Sequence, residues 1–149
     1  MFTSEAGYEH LTKRIIGCAV AVHNVFGAGL LESVYKLCLV FELRQAGLRV
    51  DPERTIPLIY KGHPLGANYR SDLIVEGTVL IEVKAVAELT AVHTAQVMTY
   101  LKLTNCPVGL VINFNTMLVT HGVRRVEQPT LYSKRKPTQR QTKDDPTGS

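Results

Sequence analysis

Tyr69-Arg70-Ser71-Asp72-Leu73-Ile74-Val75-Glu76-Gly77-Thr78-Val79-Leu80-Ile81-Glu82-Val83-Lys84 is the stretch that decides how this chain folds. Tyr69–Val75 and the run from Val79 to Val86 are rich in Val, Ile and Leu, and Glu76-Gly77 between them is a turn signal, so they read as a hairpin. Alternate side chains of a strand share a face, which puts Glu82 and Lys84 on one side and Ile81 and Val83 on the other. A turn about Gly77 sets Asp72 opposite Glu82. Two carboxylates facing each other on one sheet surface repel and normally destabilise the pairing. A divalent cation between them removes the conflict, because hard ions such as Mg²⁺ take one or two carboxylates with waters and phosphate oxygens. Lys84 points into the same pocket, where an ammonium can orient an attacking water or neutralise charge on a phosphate. Taken alone, Glu-x-Lys on a strand is an exposed ion pair on the wet face of a sheet. Asp72 at the matching position favours the metal site.

Two helices precede this hairpin. Leu11, Ile15, Cys18, Val22 and Val25 recur at steps of three and four, which predicts a helix over about 4–26 that Gly27-Ala28-Gly29 stops. A second helix is expected over about 31–46, with Leu31, Val34, Cys38 and Phe41 inward and Gly47 ending it. Further strands are expected at Leu48–Val50 and Ile56–Tyr60, and after the hairpin at Val108–Phe114 and Leu118–Val126. Thr90 can cap a third helix running to about Leu103, which Asn105-Cys106-Pro107 closes. The order α-α-β-β-β-β-α-β-β describes an α/β domain around one mostly antiparallel sheet.

On the third helix, His93, Gln96 and Tyr100 fall within about a 60° arc, away from Val97, Met98 and Leu101. This is either a solvated face or an amide and a phenol set beside the acidic pocket, and spacing alone does not choose. Gly27-Ala28-Gly29-Leu30-Leu31-Glu32-Ser33-Val34-Tyr35 permits a tight entry into the second helix, with Glu32 in the first turn, where the helix dipole favours an acid. It lacks the lysine of a phosphate loop and the third glycine of a dinucleotide loop, and it follows a helix, so nucleotide binding there is rejected.

The 149 residues, 45% hydrophobic and 20% charged, suit one domain with a core of its own. No apolar run reaches the roughly 18–20 residues of a membrane span, and the first residues lack a signal-peptide pattern, so a soluble cytoplasmic protein with no membrane partner is expected. The three cysteines, Cys18, Cys38 and Cys106, form no C-x-x-C pair, which argues against structural zinc or a disulfide framework. Lys+Arg 17 against Asp+Glu 13 gives +4. Half of it lies in residues 127–149, rich in Pro, Thr, Gln, Lys and Arg, which read as a basic, disordered tail behind a domain over 1–126. The remaining excess permits nucleic-acid binding without requiring it.

Taken together, Gly27-x-Gly29-x-x-Glu32-x-x-Tyr35, Tyr69-Arg70-x-Asp72, Glu82-Val83-Lys84, Gln96 with Tyr100-Leu101-Lys102, and Gly109-Leu110-Val111-Ile112-Asn113-Phe114 resemble the GxxExxY protein family, placed in the PD-(D/E)XK nuclease superfamily. The resemblance spans roughly residues 8–126. It implies a restriction-endonuclease-like core, a mixed β-sheet flanked by helices. It also implies Asp72, Glu82 and Glu32 as metal ligands with the carbonyl of Val83, and Lys84 as the catalytic lysine working with those acids. Arg70, Gln96, Tyr100 and Tyr35 would contact substrate, Gln96-x-x-x-Tyr100 being similar to the Q-x-x-x-Y motif of RecB-like nucleases. Ser71 stands where the superfamily name has proline, a backbone preference with no chemical part to play.

The expected function is a metal-dependent nuclease hydrolysing DNA phosphodiesters, with Mg²⁺ as cofactor and Mn²⁺ substituting. The alternative is a catalytically silent module of the same fold that binds nucleic acid or a protein. Nothing in the chain reads a 2′-hydroxyl, so RNA stays open as substrate. The small size suggests low sequence specificity, or a homodimer that supplies a second cleavage centre.

Overall fold

The computed structural model describes residues 5–128. Helix α1 (Glu5–Phe26) and helix α2 (Glu32–Gln45) come first, then strands β1 (Val50–Pro52), β2 (Thr55–Tyr60), β3 (His63–Arg70), β4 (Leu73–Val75) and β5 (Val79–Lys84). Helix α3 (Ala91–Thr104) leads to β6 (Val108–Asn113), a 3-10 turn (Val119–Gly122) and β7 (Val123–Glu127). Five strands form one sheet in the order β1-β4-β5-β6-β7, while β2 and β3 pair separately as a two-stranded ribbon. Every pairing is antiparallel except β5 with β6. A parallel step needs a crossover, and α3 supplies it.

The sheet is covered on both faces, which is why β4 to β6 read as apolar runs. Ile81, Val83, Leu110 and Ile112 pack with α1 and α2; Ile74, Leu80 and Val111 pack with Val97 and Leu101 of α3. Strand β5 therefore turns Ile81 and Val83 to the two-helix side, and the alternate positions Glu82 and Lys84 share the α3 side with Leu80. Gly109 lets α3 lie close: a Cβ there would come within 2.5 Å of Val97 Cγ1 and 3.3 Å of Leu101 Cδ2. Val97 is fully buried and stiff at χ1, so it cannot swing away. Gly109→Ala is expected to cost about 1–3 kcal/mol of stability, the usual penalty of overpacking. Thermal unfolding checks this; an unchanged melting temperature would mean that α3 stands farther from β6.

The structure departs from the sequence reading at several elements. The buried face of α2 is Tyr35, Leu39 and Leu43, while Leu31 and Phe41, expected inward, are exposed and Val34 and Cys38 only half-buried. Apolar residues ring most of that helix, so period alone cannot select the side; the stacking of Tyr35 on Phe114 does. Val25, placed on the inner face of α1, is also exposed. The expected strand over Tyr69–Val75 breaks at Ser71-Asp72, and β3 adds a strand to the expected order. The final strand is preceded by the 3-10 turn rather than beginning at Leu118. Glu127 belongs to β7, and the buried Gln128 side chain donates to the carbonyls of Leu101 (3.0 Å) and Cys106 (3.2 Å), so these two residues, expected in the tail, pack with the fold. Residues 129–149 of the expected tail lie outside the described residues. Among the described residues no helix is long and apolar enough to cross a membrane.

Candidate active site

The turn at Glu76 (φ +54) and Gly77 (φ +61) pairs Leu73 with Ile81, Ile74 with Leu80 and Val75 with Val79. This register brings Asp72, just before β4, beside the end of β5. Its Oδ2 accepts the Val83 N–H at 2.8 Å. A strand residue turns its N–H and C=O toward the same neighbour, so the Val83 carbonyl faces the side on which Asp72 stands. Glu82 is buried, 6% exposed. Burial, a hydrogen bond with Asp72 and the Asp72 charge push its carboxyl up to about 9, against the opposing pull of Lys84 and Lys36. The acid pair expected from the hairpin is thus assembled, with a buried carboxyl that lacks a full countercharge. Lys84 is half-buried next to it on the same face of the strand.

Ser71 is buried and its N–H donates to the Arg54 carbonyl at 3.0 Å, a bond that proline could not make. The neighbouring Glu53 N–H donates to the Asp72 carbonyl at 2.7 Å. These two bonds tie the approach to Asp72 to the turn after β1. Lys36 reaches the same place from α2, donating to Asp72 Oδ1 at 3.2 Å and to Glu53 Oε2 at 2.9 Å. Burial opposes the Lys36 charge, but the two carboxylates outweigh it and raise its pKa; Lys36 in turn lowers that of Glu53. Sequence reasoning missed both residues. The signal available was the Glu32/Lys36 spacing of four, which points to a helical ion pair with the wrong partner.

Glu32 does not join the acid pair. Its Oε2 accepts the Ala85 N–H at 3.1 Å, fastening the start of α2 to the chain just beyond Lys84. Among the described residues no three His, Cys, Asp or Glu side chains converge on a common point, so the expected trio of carboxylate ligands is not formed. Tyr35 is the other correction. It is fully buried, stacks on Phe114 at 4.5 Å, donates its hydroxyl to the Gly27 carbonyl and accepts from the Leu30 N–H at 3.2 Å. A bound strand has no access to it. The Gly-x-x-Glu-x-x-Tyr spacing accordingly builds a loop, with Gly29 at φ +114, whose closure by Tyr35 sets Glu32 in place. Tyr35→Phe keeps the stacking and removes both bonds, and is expected to lower stability by about 1–3 kcal/mol. Chemical denaturation measures the loss; an unaltered midpoint would show that the loop closes without the hydroxyl.

Helix α3 contributes its polar arc unevenly. The ring Nδ1 of His93 accepts the Thr90 N–H at 3.0 Å, so His93 caps its own helix. Gln96 is exposed. Tyr100 is half-buried and stands edge-on to Tyr69 at 5.4 Å. Burial, then the charges of Glu82, Tyr69 and Asp72, raise its phenol pKa, which places the hydroxyl in the field of the acids. Arg70 ends β3 in solvent, close enough to Glu53 to help lower that carboxyl. Buried Asn113 exchanges hydrogen bonds at 3.0 Å with the Val86 N–H and carbonyl, holding the segment after β5 in position.

A sequence model of the PD-(D/E)XK nuclease superfamily matches residues 9–126. The crystal structure of SSO0001 is similar at 16% identity and a TM-score of 0.49, over 69% of this chain and 56% of that one. This chain therefore spans about half the length of that protein. No curated protein matches at a significant level.

Proposed function

The chain belongs to the PD-(D/E)XK nuclease superfamily, and from that premise we propose that it hydrolyses DNA phosphodiesters with a divalent cation, Mg²⁺ or Mn²⁺, held by Asp72 and Glu82. The Gly27–Tyr35 motif favours the GxxExxY group within that superfamily. The carrying observation is the adjacency of the two acids with Lys84 on the same strand face. The donor set fits a hard cation: two neighbouring carboxylates and a backbone carbonyl, that of Val83, turned toward them. When bound, such an ion polarises the scissile phosphate and lowers the pKa of a water.

The chain's own groups divide the remaining work. Lys84 supplies a fixed positive charge beside the acids, placed to orient the attacking water and offset charge developing on the phosphate. Glu32 positions Lys84 by anchoring the chain one residue beyond it. Lys36 holds Asp72 toward the site. Tyr100 lies in the field of the acids, and with Gln96 one turn before it on α3 and Arg70 at the end of β3 it would hold the nucleic-acid backbone, contacts that give register without reading sequence.

With Glu82 raised to about 9 by burial and by the adjoining Asp72, the acid pair would keep a proton at neutral pH, and holding a cation there would require its release. Calorimetric titration with Mn²⁺ at pH 7.5, in buffers of different ionisation enthalpy, is expected to report about one proton released per cation. The folded protein binds more protons than the unfolded chain between the ordinary 4.5 and about 9, so the metal-free protein loses stability as pH rises through that window. The loss is at most about 1.4 kcal/mol per pH unit. Glu82→Gln should remove this slope. Mn²⁺ binding with no proton release would place the ion away from Glu82.

A further inference from the structure

Beyond Arg70 at its base, the β2–β3 ribbon has no part in the site described above, yet all eight residues of β3 are exposed and only Ile56 is buried on β2. It is fixed at its base, where Ile56 is buried and Tyr69 meets Tyr100, and Asp72 follows its last residue by two positions. From Arg54 to Arg70 there is no acidic residue, while Arg54, Lys61 and Arg70 are basic. The cations at the base have acids nearby: Arg54 pairs with Asp51 at 3.4 Å, and Arg70 acts on Glu53. Lys61 at the tip has only the face of Tyr60, 5.4 Å below it, and pairs with no carboxylate among the described residues. Pro57, Pro64 and a register shift between Pro57 and Ile59 spoil both edges for addition of another protein strand.

We infer that this ribbon enters a groove of duplex DNA to one side of the cut, with Lys61 at its tip against a phosphate. The inference rests on the function proposed above. A two-stranded ribbon fits the major groove of B-DNA, about 12 Å wide, whereas the deep, narrow major groove of A-form RNA excludes it. At about 3.4 Å per residue, the tip lies roughly 24 Å from Arg70. That distance corresponds to about seven base pairs at ~3.4 Å each. A ribbon lying along the groove from Arg70 would bring its tip to a phosphate only where the duplex continues about that far from the cut.

Fluorescence anisotropy in EDTA, on labelled DNA duplexes of increasing length and on the matching single strands, tests this with the full chain. The variant is Lys61→Asn. Lys61 (φ +51) and Gly62 (φ +81) form a turn that Asn-Gly suits, so the charge is removed while the hairpin is kept. The unmodified protein is expected to bind duplex DNA more tightly than single strands and to gain affinity in a step once about seven flanking base pairs are present. Lys61→Asn should lose the step and show a log–log salt slope shallower by about 0.9, with Mn²⁺ affinity unchanged. An identical slope and step in Lys61→Asn would overturn the inference, as would equally tight binding of single strands or duplex RNA. Cleavage of DNA by the unmodified protein together with either result would leave the nuclease reading intact. Absence of nucleic-acid binding in EDTA would overturn the ribbon inference, whereas absence of both binding and cleavage with Mn²⁺ present would overturn the nuclease reading as well.

Discussion

Lys84→Met is expected to lower DNA cleavage by about 10²–10³-fold, the scale on which losing one preorganised electrostatic contact to a transition state is felt. At about 1.4 kcal/mol per decade, this amounts to roughly 3–4 kcal/mol. The strand should survive the change. Lys84 is half-buried and paired in register with Asn113, its carbonyl accepts the Phe114 N–H at 2.9 Å, and methionine keeps most of the stem. Mn²⁺ binding should persist because no oxygen ligand is altered. Single-turnover cleavage alongside metal titration separates these effects. A variant that cuts like the parent would remove Lys84 from the mechanism.

Asp72→Asn should fail differently, losing cleavage and metal affinity together. The amide oxygen can still accept the Val83 N–H, so the hairpin is retained, but the carboxylate that faces Glu82 and Lys36 is gone. Metal affinity is expected to fall by at least the ~10–100-fold that loss of an outer partner alone can cause. The hydrogen bond and charge by which Asp72 raises Glu82 also disappear, so Glu82 should titrate closer to its ordinary range. Titration with Mn²⁺ across pH reads both changes. Undiminished affinity in Asp72→Asn would show that the ion is held elsewhere.

The acids and Lys84 were legible in the sequence because one local rule controls them. A turn with two left-handed residues, Glu76 and Gly77, fixes the β4–β5 register, and register fixes which side chains meet. The parallel β5–β6 step was not derivable from the strands themselves, since periodicity carries no information about pairing partners. Lys36 and Glu53 stayed hidden because they arrive from another helix and another turn on long side chains that spacing cannot aim. Tyr35 was misread for a related reason. The family resemblance implied substrate contact, whereas stacking on Phe114 and closure of the loop at Gly27 give it a packing role. Strand β3 escaped notice because an element exposed along its whole length shows no apolar alternation, and Pro64 and Gly66 within it read as loop.

A divalent cation held by Asp72 and Glu82, with Lys84 beside it, is the centre of the proposed DNA cleavage. Its most direct test is the yield of cut product from end-labelled duplex DNA as Mn²⁺ is titrated, with the parent protein and Lys84→Met purified in parallel. Saturable, EDTA-sensitive cleavage by the parent and its near-complete loss in Lys84→Met are expected. Absence of cleavage by the parent at every Mn²⁺ and Mg²⁺ concentration, or equal cleavage by the two proteins, would contradict it.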